Sequence, residues 1–303
     1  FPGQNAHSVG MGRDLFDNSE VGRATLEAAD AAVGGGLLPI MFGGPEDALT
    51  ATENQQPAIV AHSLAALRLL QEAGIVPDFV AGHSLGEYPA LVAAGALDAA
   101  ETVKLVRYRG EIMARADELA PGAMSAILGL DGADVEDIVA RAAEESVCVV
   151  ANYNCPGQVV ISGTVEAIDR AEVLAKDAGA KRVIRLKVSG AFHSPLMQPA
   201  AEMLTERLAQ VELVGADVPV VANVDAAGHT EPDEIRAALA GQMTGSVLWQ
   251  QSVAHMIERG VRTFVEIGPG TVLSGFMRRI DRDVQAHNVA DTATLEETLA
   301  ALA

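Results

Sequence analysis

Cysteine, aromatic residues and positive charge are all scarce in this chain, and each shortage removes a class of protein. Cys148 and Cys155 are the only cysteines among 303 residues. That is too few for a disulfide framework, and no Cys/His group has the spacing of a zinc site, so a reducing cytoplasm and no metal are expected. Lysine and arginine number 21 against 41 acidic residues, a formal net charge of −20. Nucleic acid and anionic membrane both need a basic face on their partner, so neither is expected, and the acidity suits a monomer. No apolar run reaches the length of a membrane span, and no signal peptide is visible. Aromatics make up 4% of a chain that is 49% hydrophobic, the balance of an α/β protein packed with Ala, Val and Leu. Its length allows one elaborated domain or two.

What is present is organised around Gly82-His83-Ser84-Leu85-Gly86-Glu87-Tyr88. Residues 78–81, following Pro77, read as a short buried strand, and 88–94 read as a helix. A strand running straight into a helix forces a sharp turn, and Gly-x-Ser-x-Gly across it is the pattern of a nucleophile elbow. Gly82 and Gly86 remove side chains where backbones crowd, and Ser84 stands at a helix N-terminus whose N–H groups favour a nearby anion.

Upstream, 15–33 has helical spacing, ended by the glycines at 34–36, and 58–73 reads as a helix buried on most faces. Strands over 123–128, 147–152, 158–162 and 182–188, with helices over 135–145 and 165–178, give a βαββαβ order. Beyond 190, helices over 199–211, 233–243, 248–259 and 272–279 alternate with strands over 218–223 and 263–267. The predicted fold is α/β. A hydrolase-like core with a mostly parallel, helix-covered sheet spans 1–122 and 189–303, and a small ferredoxin-like subdomain, 123–188, is inserted into it. The cleft between the two parts is the expected place for a site.

A serine hydroxyl is a poor nucleophile until a base takes its proton. Among seven histidines, His83 adjoins Ser84 and should project away from it. His7, His229, His255 and His287 have polar surroundings, and His62 lies within the apolar helix. His193, at the seam where the subdomain rejoins the larger part, is the leading candidate on position. An ordinary α/β hydrolase carries an acid between the serine and a late histidine. Here Asp169 and Asp177 fall on an exposed helix face, which leaves a backbone carbonyl or an amide to orient the histidine. Arg107 and Arg109 lie on a helix expected to pack near the elbow. A guanidinium in a cleft suits a carboxylate, and one on the surface suits an ion pair.

Taken together, Phe1-Pro2-Gly3-Gln4, Gln55-Gln56-Pro57-Ala58, the elbow, Arg109-Gly110, Asn154-Cys155-Pro156-Gly157-Gln158, Ala191-Phe192-His193-Ser194, Asn223-Val224-Asp225, Gln242 and Gly268-Pro269-Gly270 follow the order of a known family. Over essentially its whole length the chain resembles the malonyl-CoA:acyl-carrier-protein transacylases, a family that includes the acyltransferase domains of polyketide synthases. The resemblance implies that Ser84 is malonylated and that His193 is its base, oriented by the backbone carbonyl of Gln242. It implies that Arg109 grips the malonyl carboxylate and that the N–H groups of Gln4 and Leu85 form the oxyanion hole. Phe192 looks like the bulky residue of members that prefer malonyl to methylmalonyl. The implied reaction is ping-pong transfer from malonyl-CoA to the phosphopantetheine thiol of an acyl carrier protein, for fatty acid or polyketide synthesis, with no cofactor beyond these substrates.

The sequence departs from the family in two places. Asn5-Ala6-His7 replaces the common Gly-Ser-Gln, and Ser246 stands where proline is common. Two basic clusters, Lys181/Arg182/Arg185/Lys187 and Arg278/Arg279/Arg282, are candidate surfaces for an acidic carrier. A serine esterase or editing acyl hydrolase using the same Ser/His pair is the alternative enzyme, and a carrier-binding subunit without catalysis is the alternative outside enzymology.

Overall fold

Short strands at fixed points of a largely helical chain position everything that follows. The structure, a computed structural model, describes residues 1–119, 121–188 and 190–303. Ser189, where the second segment of the larger part is expected to begin, lies outside the described residues. Nine strands are described: β1 (Val80–Ala81), β2 (Ala123–Leu128), β3 (Cys148–Cys155), β4 (Gln158–Gly163), β5 (Arg182–Arg185), β6 (Val220–Val221), β7 (Gly228–His229), β8 (Thr263–Ile267) and β9 (Gln285–Val289).

Pairing is mixed, so the chain is α/β without a single parallel sheet. β1 runs parallel to β6 with Ala81 opposite Val221, β7 closes that sheet antiparallel, and β8 and β9 form a separate parallel pair. The expected mostly parallel sheet is therefore in two pieces. β1 and β6 are held to two residues each because Pro77 and Pro219 precede them and Gly82 turns the chain away. Phe1 lies alongside β1. Its ammonium donates to the Ala81 carbonyl at 2.9 Å, and its carbonyl accepts from the His83 N–H at 3.0 Å.

Residues 123–185 build the other sheet, antiparallel in the order β3-β4-β2-β5, with the helices Gly132–Ala143 and Val165–Asp177 packed on it. β2, apart from Ser125, is apolar without alternation, and its packing shows why. Ala123 and Ile127 enter a core shared with Val135, Ile138 and Ile168, whereas Met124 and Ala126 enter the large core of the rest of the chain. A strand buried on both faces reads as a continuous apolar run. Ser246, one of the departures noted above, ties the two parts together. Its hydroxyl donates to the Val150 carbonyl at 2.6 Å, and the neighbouring Val247 exchanges backbone hydrogen bonds with Ala151 and Tyr153.

Helix boundaries differ from expectation where a cap or a proline intervenes. The helix expected over 15–33 is broken at Ser19, which is extended and whose hydroxyl accepts the Gly22 N–H, starting a new helix Glu20–Ala32. The helix expected from 58 begins at Thr52 and runs to Glu72 with Pro57 inside it, at the loss of one backbone hydrogen bond. A short 3-10 turn, Ser84–Gly86, precedes the elbow helix Glu87–Ala93.

The elbow leaves no space for extra atoms. A Cβ on Gly82 would fall 1.8 Å from the Gly86 carbonyl carbon, and one on Gly86 would fall 2.1 Å from the Phe1 carbonyl oxygen. Relief requires moving backbone, so G82A is expected to lower stability by about 3 kcal/mol. Denaturant unfolding checks this, and a midpoint equal to wild type would contradict such tight packing.

Candidate active site

The elbow, the helix Ala99–Ala114 and the segments around 193 and 242 converge on Ser84. Ser84 is buried, 8% exposed, and adopts φ 49; His193 adopts φ 57. Two non-glycine residues in the left-handed region, facing each other, are strained backbone of the kind that surroundings must hold in place. The Ser84 Oγ lies 2.9 Å from His193 Nε2.

On the other side of the ring, Nδ1 lies 2.9 Å from the Gln242 carbonyl and 3.1 Å from the Gly245 carbonyl. Both partners can only accept, so Nδ1 carries the proton and Nε2 is left to accept from the serine hydroxyl. No carboxylate is needed for that tautomer. Burial, with the Arg109 charge second, pushes the His193 pKa down to about 4, so the ring is neutral through the physiological range and Nε2 is free to accept a proton.

Arg109 is 1% exposed. Asp98 caps its helix, accepting from the Ala100 and Glu101 N–H groups, and the helix turns Arg109 inward while Arg107 faces out to Glu111 and Asn54. The guanidinium donates to Gln56 Oε1 at 2.9 Å, Ser84 Oγ at 3.0 Å and Gln242 Oε1 at 3.2 Å, and it lies over the Tyr88 ring. Among the described residues its Nε has no hydrogen-bond partner and no carboxylate comes within ion-pair distance. Burial lowers its pKa. A buried cation in this state is a site for an anion.

The other expected residues are placed as follows. Gln4 follows Gly3, where a Cβ would fall 2.6 Å from the His83 carbonyl oxygen, so the chain start passes close behind the elbow. Gln4 also lines a cleft of about 580 Å³ with Asn5, Thr52, Gln55 and Lys187. Leu85 is buried immediately after Ser84, and Phe192 is buried in the large core immediately before His193. His83 points away from Ser84, its Nε2 2.8 Å from Asn154 Oδ1, and burial lowers its pKa. His62 Nε2 meets the Ala290 carbonyl at 2.7 Å. In the replaced loop, the Asn5 N–H donates to Gln55 Oε1 at 3.0 Å and His7 Nε2 lies 3.1 Å from Thr50 Oγ1. Of the basic clusters, Arg185 is engaged by Asp169 and Glu172, whereas Arg279 holds Gln158 and the Pro156 carbonyl on the turn after Asn154.

Sequence reasoning gave no role to Gln56, Glu87, Asn223 or Gly245. The first three were visible as polar residues inside buried, otherwise apolar stretches. Gly245 acts through its carbonyl and leaves no trace in residue type. Asn223 reaches Ser84 because β6 lies in register beside β1, which sets it two residues beyond the Ala81–Val221 pair.

A strained serine beside a neutral histidine and an unpaired buried cation defines an acyl-transfer site, and the chain belongs to the acyl transferase family. The family described as "Acyl transferase domain" matches residues 1–297. More particularly, the chain is 46% identical over 297 residues to the malonyl CoA-acyl carrier protein transacylase of Bacillus subtilis, covering 98% of this chain and 94% of that one. It is 42% identical over 298 residues to the Staphylococcus aureus protein of the same name, covering 98% and 95%. Among solved structures, an acyl carrier protein S-malonyltransferase from Vibrio cholerae superposes with TM-score 0.95 at 41% identity, covering 98% of both chains. A malonyl-transacylase solved in complex with its type II PKS acyl-carrier protein superposes with TM-score 0.96 at 40% identity, covering 99% of this chain and 98% of that one.

The lowered histidine pKa has a kinetic consequence. For acylation of Ser84, kcat/KM is expected to stay level as pH falls and to drop only below about pH 5. An acid limb at the ordinary imidazole value of 6.5 would contradict the geometry.

Proposed function

We propose that the protein transfers a malonyl group from CoA to the phosphopantetheine thiol of an acyl carrier protein through a malonyl-Ser84 intermediate. The observation that carries this reading is the buried Arg109 guanidinium, unpaired with any carboxylate among the described residues and 3.0 Å from Ser84 Oγ. An acyl group attached to Ser84 with a carboxylate at its far end would place that charge beside the cation. The names of the relatives support malonyl as the group and a carrier protein as the acceptor.

In the first half-reaction His193 Nε2 takes the serine proton as Oγ attacks the thioester carbon. The N–H groups of Gln4 and Leu85 hold the oxyanion, the C–S bond breaks, and His193 returns the proton to the CoA thiolate. CoA then leaves. The carrier thiol gives its proton to His193 and attacks the acyl carbon, and the serine recovers its proton as the ester bond breaks. Gln242 acts here through its carbonyl, which keeps the proton on Nδ1.

Acetyl would leave Arg109 buried and unpaired, which disfavours it, whereas methylmalonyl keeps the carboxylate and differs by one methyl group. Phe192 would exclude that methyl for about 1–3 kcal/mol. No cofactor or metal enters the reaction, and the protein acts as a cytoplasmic monomer. In this reading the larger part, 1–122 and 189–303, is the hydrolase-like catalytic domain, and 123–188 is a ferredoxin-like subdomain, supported by its βαββαβ order. Arg279 holds the turn that follows Asn154, the hydrogen-bond partner of His83, and on that link the Arg278/Arg279/Arg282 cluster is the favoured face for the carrier. A hydrolase would use the same Ser–His pair; Arg109 disfavours one acting on neutral acyl groups, and the names of the relatives favour transfer.

Intact-mass measurement tests the reading. Malonyl-CoA should add one malonyl group to the wild type, with Ser84 as the modified residue, and none to S84A; equal labelling of both would refute it. R109A should lose malonyl transfer and retain or gain acetyl transfer, and an unchanged preference would remove Arg109 from carboxylate recognition.

A further inference from the structure

Behind Ser84 lies a cluster of buried polar side chains to which the two-step transfer assigns no role: Glu87, Asn223 and the side-chain amide of Gln242. The Ser84 N–H donates to Asn223 Oδ1 at 2.6 Å, and Asn223 Nδ2 donates to the Gly82 carbonyl at 2.6 Å. Gln242 Nε2 donates to the Ser84 carbonyl at 3.0 Å. Both backbone groups of the nucleophile, and the carbonyl two residues before it, are therefore held by side chains. Glu87 Oε2 closes the cluster, accepting from the Asn223 N–H and from Gln242 Nε2, each at 3.0 Å.

Residue chemistry explains the choices. Position 223 must accept from one backbone group and donate to another, which an amide does and a carboxylate does not. Position 87 must accept two N–H donors at one oxygen, for which a carboxyl group is suited. Gln242 has one consistent orientation: its nitrogen faces the Ser84 carbonyl and Glu87, and its oxygen faces Arg109 Nη2 at 3.2 Å. The side chain of Gln242 thus joins the cation to the elbow, while its backbone carbonyl holds His193.

We propose that Glu87, Asn223 and the Gln242 side chain are positioning residues that hold Ser84 in its left-handed conformation and tie it to Arg109. A serine at φ 49 stays there only where its surroundings over-determine it, and hydrogen bonds on both of its backbone groups do so. Relaxation of that backbone would swing Oγ out of line with His193 Nε2. The inference rests on the reading of Ser84 as the nucleophile and is independent of which acyl group it carries.

The test uses E87M and Q242M, which keep side-chain length and remove the hydrogen bonds, with E87Q as the conservative replacement. Q242M retains the backbone carbonyl, so a role confined to that carbonyl leaves its rate unchanged. Single-turnover acylation by malonyl-CoA is expected to slow about 10²-fold in E87M and Q242M, with KM in E87M within about twofold of wild type, and E87Q is expected to recover to within about fivefold. Modification of Ser84 by a neutral fluorophosphonate, which needs neither Arg109 nor CoA, should slow in parallel. If E87M does not accumulate folded, E87D keeps the charge, shortens the reach and is expected to be slowed about tenfold in both assays. Wild-type fluorophosphonate rates in the folded variants would overturn the positioning role. A wild-type protein that does not react at Ser84 would overturn the nucleophile reading itself.

Discussion

A guanidinium buried without a carboxylate beside it sets the terms for everything around Ser84. Taking a cation out of water costs several kcal/mol even after relaxation, and dipoles from amides and hydroxyls offset only part of that. Here the offsets are Gln56, Gln242, Ser84 Oγ and the Tyr88 ring. Glu87, whose charge acts on Arg109, is pushed up to about 7 by burial, so it neutralises the cation incompletely at physiological pH. The site is left with positive charge to share, which is the basis for proposing an acyl group that brings its own carboxylate.

The same constraint explains why His193 is oriented by carbonyls. A carboxylate at the position of Gln242 O or Gly245 O would raise the affinity of the imidazole for a proton and draw charge from Arg109. Two neutral acceptors fix the tautomer without either effect. The closely packed turn between Gly82 and Gly86 then holds Ser84 Oγ within hydrogen-bond distance of both His193 and Arg109.

Legibility in the sequence followed the physics of each feature. The elbow was readable because glycine at 82 and 86 is a steric requirement, and β2 was readable because burial on both faces leaves it apolar but for Ser125. Ser84 stood out by its motif, His193 by its position and Arg109 over Arg107 by the family resemblance, and the three come together in space. The break at Ser19 depends on one capping hydrogen bond inside an otherwise continuous helical pattern. Of the strand expected over 218–223 only Val220–Val221 pairs as β6, and β7, with two residues, has no periodicity to detect. Glu87 and Asn223 stood in quoted motifs, but their partners are 136 and 139 residues away in the chain, and only the register of β6 against β1 brings them together.

The central claim is that this site hands a charged acyl group to a thiol and withholds it from water. Purified malonyl-Ser84 enzyme, mixed in parallel with buffer and with carrier protein bearing its phosphopantetheine thiol, tests that directly by the rate at which the malonyl mass disappears. The acyl-enzyme is expected to persist in buffer and to discharge onto the carrier at least about 10²-fold faster. Equal rates in the two mixtures would make the protein a hydrolase and contradict the account.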